Sequence, residues 1–175
     1  MELHHSGRPR DWLNPVKTRQ ASAEVDTPLG AVRIHRRHSG DLTPFGGYLE
    51  RWTFSLDGSD VLSVDGMSSP GYPARGRIRR GLGLELLGQS GRLCGSRPLR
   101  PSRRHVTLSA GETLRRARPA WPGLVVVDGG GTPRIRFDGA RWSFTAPEET
   151  DVAFAALFVA ARLDPFMTSP LLEIL

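Results

Sequence analysis

A chain of 175 residues is long enough for one domain with a sizeable core. Its single cysteine, Cys94, excludes an internal disulfide and a zinc site built on several cysteines. The formal charge is +6, and Lys17 is the only lysine among 24 basic residues, so arginine carries the positive field.

The first residues, Met1-Glu2-Leu3-His4-His5, lack the basic and apolar runs of a secretory signal, so a cytoplasmic protein is expected. Residues 1 to 28 are polar, hold Pro9, Pro15 and Pro28, and show no periodicity; they read as a flexible leader before a single domain over 29 to 175. Val32, Ile34 and Arg36 alternate with Ala31, Arg33 and His35, which predicts the first strand. Tyr48 to Leu56 predicts a second. Asp57-Gly58 and Asp65-Gly66 flank Val61 to Val64 and mark a hairpin. Ser68 to Pro73 reads as a break, and the alternation from Arg75 to Arg80 reads as another strand.

The second half is more regular. Leu82 to Leu87 and Gly91 to Arg97 are joined through Gly88-Gln89-Ser90. Arg104 to Leu108 and Thr113 to Ala117 pair across Gly111-Glu112, and Leu124 to Val127 and Pro133 to Phe137 pair across a glycine run. Asp138-Gly139 leads into Arg141 to Thr145. Strands at this spacing, broken by glycine turns, predict a barrel or sandwich.

The last hydrophobic segment is different in kind. From Val152 to Leu163 only Arg162 is not apolar. A helix that is apolar all round must be enclosed. Thr145 as N-cap and Glu148 three residues on fit a capping box, Pro147 suits the first turn, and Asp164-Pro165 stops the run. A helix over 146–163 follows. Its uninterrupted apolar stretch is half what a membrane span needs, so a core helix is expected. The expected fold is therefore mostly β: an antiparallel barrel of about 10 to 12 short strands around one hydrophobic C-terminal helix, since closure removes the sheet edges.

Three units carry a family resemblance: Leu86-Leu87-Gly88-Gln89-Ser90-Gly91-Arg92-Leu93, Leu124-Val125-Val126-Val127-Asp128-Gly129-Gly130-Gly131, and Val152 to Leu163. From Leu84 to Leu163 the chain resembles the second half of tubby-like C-terminal domains, in the branch of phospholipid scramblases and LURP-one-related proteins. The resemblance implies a barrel around a central helix. It also implies basic residues on the barrel that meet phosphoinositide headgroups. The cysteine-rich stretch and terminal membrane span of scramblases are not in this sequence, so scramblase activity is not implied.

Function is expected to be binding rather than catalysis. Between Arg75 and Arg118 stand twelve arginines against Glu85 and Glu112, a local net of +10. Such a field attracts phosphates of anionic lipid or nucleic acid. Arg75, Arg77, Arg79, Arg80, Arg103, Arg104, Arg115 and Arg116 are the expected basic face. A peripheral, anionic membrane surface is the first expected partner. No aromatic residue is interleaved among these arginines, so nucleic acid comes second. The apolar tail Pro170 to Leu175 suits a protein partner.

No catalytic residue, metal or cofactor is expected. His35 and His38 are three apart on a strand and face opposite sides. Gly129-Gly130-Gly131 lacks the Lys and Ser/Thr of a phosphate-binding loop. Ser90 lies in a turn that no helix follows. Trp12, Trp52, Trp121 and Trp142 are expected as core or rim anchors.

Overall fold

The computed structural model of the protein describes residues 1–5, 12, 20–42, 48–98 and 100–168. One sheet holds twelve strands in the order of the sequence, each antiparallel to the next. They are β1 Leu3–His5, β2 Gln20–Thr27, β3 Gly30–Leu42, β4 Tyr48–Leu56, β5 Ser59–Met67 and β6 Leu82–Leu86. The second half adds β7 Gln89–Ser96, β8 His105–Ala110, β9 Thr113–Ala120, β10 Gly123–Asp128, β11 Pro133–Phe137 and β12 Trp142–Phe144. Helix α1 spans Tyr72–Arg80, α2 Glu149–Ala161 and α3 Asp164–Thr168; a 3-10 turn covers Pro101–Arg103.

The strands form because alternate residues are apolar. In β6, Leu82, Leu84 and Leu86 are buried while Gly83 and Glu85 face water; in β8, Val106, Leu108 and Ala110 point the same way. Asp57-Gly58 and Leu87-Gly88 take positive φ at both positions, the geometry that suits the twist of a two-residue hairpin.

The buried faces collect around α2. Of its thirteen residues, eleven are buried. The helix packs on β2 to β5 at one side of the sheet and on β11 at the other. Phe158 meets Trp142 of β12 at 6.2 Å and Phe154 at 5.2 Å between ring centroids. The sheet thus curls over the helix. Its ladder is open, however: among the described residues β1 pairs only with β2 and β12 only with β11, so a closed barrel is not what the pairing gives.

Several expectations are corrected. The stretch expected as a leader supplies β1 and β2, and Trp12 is buried at 2% exposure. The β2 signal is faint because its inward residues are Ala23 and Val25, small and set among polar neighbours. Arg75 to Arg80 is not a strand but most of α1. Pro73 sits in its first turn, and Ala74 and Ile78, four apart, are buried on one helical face. Ile78 packs so closely on β7 that a Cβ on Gly95 would lie 3.0 Å from its Cγ2.

The long helix starts three residues later than expected. Thr145 donates its N–H to the Arg134 carbonyl at 2.8 Å and so continues the sheet. Ala146 then turns left-handed, with φ 46°. Glu148 is the N-cap, and its N–H donates to Asp151 Oδ2 at 3.1 Å. At the far end Arg162 takes a left-handed conformation, and the Leu163 N–H donates back to Phe158 O at 2.9 Å, a Schellman closure. No described helix is long and apolar enough to cross a membrane. The tail from Pro170 lies outside the described residues.

Asp164 opens α3 in a partly buried place. Burial raises its pKa; the positive charges of Arg75 and Arg162 oppose the rise. A carboxyl raised on folding binds its proton more tightly in the native state. Its contribution is therefore present at low pH and is lost as pH rises from the ordinary carboxylate range through the folded value. Denaturant melts across that window are expected to show stability falling in the wild type. In Asp164→Asn the corresponding slope should be absent.

Candidate anion-binding surface at one end of the sheet

The register sorts the loops into two ends. Ser96 pairs with His105, Val106 with Ala117 and Ala120 with Gly123, so the 97–104 loop and the Trp121-Pro122 turn share one end. Leu82 pairs with Leu93, which brings α1 to that same end. The C-terminus of α2 arrives there too, where Ala161 O accepts from the Gly71 N–H at 2.9 Å. The N-terminus of α2 lies at the opposite end, beyond the β11–β12 strands.

The structure divides the eight expected arginines. Arg79, Arg80 and Arg103 are exposed at the α1 end. Arg75 and Arg77 are half-buried there, and Arg77 Nε donates to Gly66 O at 2.8 Å. Arg104 is at the same end but is 1% exposed, with Nη1 donating to Met167 O at 3.3 Å. Arg116 is exposed on the middle of β9, across from Thr107 and Val127.

Arg115 does not belong to the face at all. It points inward with Ala117 and binds Asp151 Oδ1 through Nε at 2.6 Å and Glu148 Oε2 through Nη2 at 2.6 Å. Arg134 reaches the same acids, with Nη2 at 3.0 Å from Asp151 Oδ2. Asp151 is fully buried. These four charges satisfy one another and hold the positive end of the α2 dipole.

Three arginines absent from the expected set join the basic end. The Arg92 guanidinium lies beside the C-terminus of α1, so close that a Cβ on Gly81 would be 2.9 Å from its Nη2. Arg97 and Arg100 follow β7. The net charge of the segment announced them, but only the packing of α1 on β7 gathers them. Among the described residues, Arg77, Arg79, Arg80, Arg92, Arg97, Arg100 and Arg103 have no acidic partner. Asp138, on the β11–β12 turn, is engaged with the N–H groups of Ala140 and Arg141 at 2.9 and 2.8 Å. Trp121 stands at this end with 94% of its surface exposed.

Two other charged clusters lie elsewhere on the sheet. Arg36 lies between Trp12 and Trp52, 4.7 and 4.8 Å from their ring centroids. It grips Glu50 with Nε and Nη2, at 2.8 and 2.9 Å, and Trp52 Nε1 donates to the same carboxylate at 2.6 Å. A groove of about 430 Å³ runs over the outer face of β3 to β6. Its floor is a cross-strand row, His35, Thr53, Ser63 and Glu85, flanked by Arg37 and Arg51. Arg51 Nη2 donates to Ser63 Oγ at 3.1 Å, and Ser22 Oγ and His35 Nδ1 share a hydrogen bond of 2.9 Å. Among the described residues no group of three His, Cys, Asp or Glu side chains is placed to hold a metal.

No protein-family model matches the chain, and neither a curated protein nor a solved structure does.

Proposed function

We infer that the protein is a non-enzymatic binding module that docks its arginine-rich end on a phosphate-bearing anionic surface, foremost the anionic leaflet of a membrane. The observation that carries this is the set of seven arginines at one end with no acidic partner among the described residues. Unmatched cations in one patch set up a field that draws polyanions. Trp121 favours a membrane among them. A large amphipathic ring at 94% exposure is costly in water and suits the headgroup level of a bilayer. The protein then acts peripherally, at the cytoplasmic face.

The resemblance to tubby-like domains points the same way. Burial of α2 by strands from both halves supports reading the fold as a barrel around a central helix. Slow amide exchange in both β1 and β12 is expected if those edges are covered; rapid exchange in either would leave the sheet open.

The direct test is co-sedimentation with neutral and anionic vesicles over a salt series, with duplex DNA as competitor. Pelleting is expected only with anionic vesicles and should fade as salt shortens the screening length. Each arginine near such a surface contributes about 1 kcal/mol, so Arg79→Gln with Arg80→Gln should lower partition roughly thirtyfold. No pelleting with any vesicle would sink the membrane reading. Binding to DNA alone would assign the same arginines to nucleic acid.

A further inference from the structure

The groove on the outer face is charged in an ordered way. Arg37 of β3 and Arg51 of β4 stand on one side; Asp60 of β5 and Glu85 of β6 stand on the other. Two guanidiniums face two carboxylates, so the groove is dipolar rather than basic. It also lies apart from the arginine-rich end. Strand β6 meets α1 through Leu82, whereas its Leu87 and Gly88, which line the groove, turn at the other end.

The two poles differ in how well they are satisfied. Arg51 is held by Ser63 Oγ at 3.1 Å, with Asp65 and Glu85 at 3.6 and 3.9 Å. Arg37 is exposed and has no acidic partner among the described residues. Asp60 accepts the Ser55 hydroxyl at 2.6 Å. Glu85, its side chain 55% exposed, has the long contact to Arg51 as its one cation among the described residues. Between these poles the floor offers the hydroxyls of Thr53 and Ser63, which can each donate and accept. Leu87, 51% exposed, adds an apolar bank two residues beyond Glu85. Strand β5 bulges here: Phe54 pairs with Leu62 and Ser55 with Asp60, leaving Val61 as the extra residue. Bulges re-aim side chains beside binding sites.

A ligand that matches this surface is itself dipolar. A phosphate ester would meet Asp60 and Glu85 as like charges. A carboxylate suits the Arg37 fork and an ammonium suits Glu85. An amide between them would use the floor hydroxyls both ways. Three strand spacings separate β3 from β6, about 14 Å. The two charged side chains take up part of that width, leaving room for roughly two or three extended residues at about 3.4 Å each. A volume of about 430 Å³ is in the range of small-ligand sites.

We propose that this groove binds a short peptide of two or three residues with free termini. Its carboxylate sits on Arg37, its ammonium on Glu85 and its first side chain against Leu87.

Isothermal titration calorimetry with leucyl-alanine tests it, beside the N-acetyl form, the C-terminal amide and the form blocked at both ends. Each block is expected to weaken binding about tenfold, the loss of one charge-assisted contact. Arg37→Gln should weaken the free dipeptide about tenfold and leave affinity for the amide unchanged. Glu85→Gln should do the same for the free dipeptide and spare the N-acetyl form. Arg33→Gln, on the same strand but outside the groove, should bind as wild type does. No heat with leucyl-alanine at millimolar concentration overturns the proposal. So does a loss in Arg37→Gln that is as large for the amide. Equal affinity for the doubly blocked form also overturns it, and would assign the groove to an internal segment of a protein chain. The titration holds no vesicle, so its failure and the failure of the membrane reading are separate results.

Discussion

Asp151→Ala is expected to unfold the domain or bring it to the edge of unfolding. The carboxylate is fully buried and accepts from Arg115 at 2.6 Å and from Arg134 at 3.0 Å. It also accepts the Glu148 N–H that caps α2. Without it, two largely buried guanidiniums keep their bonds to the Leu114 and Ala146 carbonyls but retain Glu148, whose side chain is 56% exposed, as their one acidic partner among the described residues. Breaking a buried ion-pair cluster by removing one partner costs about 3–5 kcal/mol. A domain of this kind has about 5–15 kcal/mol in all. Thermal melts followed by far-UV circular dichroism check it. The companion variant is sharper: Asp151→Leu with Arg115→Met and Arg134→Met removes every charge but Glu148, and should recover most of the loss. A single mutant that melts like wild type would mean the cluster is not buried as described.

Ala156→Asp is the second large effect. Ala156 lies at the middle of α2 and is fully buried. The Arg115 and Arg134 guanidiniums at the start of α2 are already engaged by Asp151. An unpaired buried charge costs several kcal/mol, and a methyl-sized site has no room for a carboxyl. Phe158→Asp should fail likewise, since it also empties the contacts with Phe154 and Trp142. Soluble, cooperatively folded protein from either variant would mean that α2 does not fill the core.

The central helix was legible because its signal is local: a run of apolar residues that no single face can accommodate. Its cap was not. Thr145 fits the capping pattern, but its N–H is committed to β11 by a bond to Arg134, a partner eleven residues back. Helix α1 was hidden by accident of spacing. Arginines at every second position imitate a strand, while the helical evidence rests on two residues, Ala74 and Ile78. The basic site shows the same division. Charge density marked the segment, yet inward or outward direction depends on strand phase. Arg115 shares a face with Ala117, a phase visible in the sequence; the acid that draws it inward, Asp151, is 36 residues on. Arg36 is alike, in phase with Val32 and Ile34 and completed by Glu50. Side-chain pairs across the fold are set by the curl of the sheet, which no local pattern records.

Strand order identical to sequence order has a consequence for biosynthesis. Each hairpin can zip onto its predecessor as the chain leaves the ribosome, with little loop closure to wait for. The helix that fills the sheet comes from Glu149–Ala161, after all twelve strands. The nascent sheet therefore stands with its apolar face open until Glu149–Ala161 has been synthesised. A ribosome stalled before residue 149 would present a wide greasy concave surface, and such surfaces aggregate or engage chaperones.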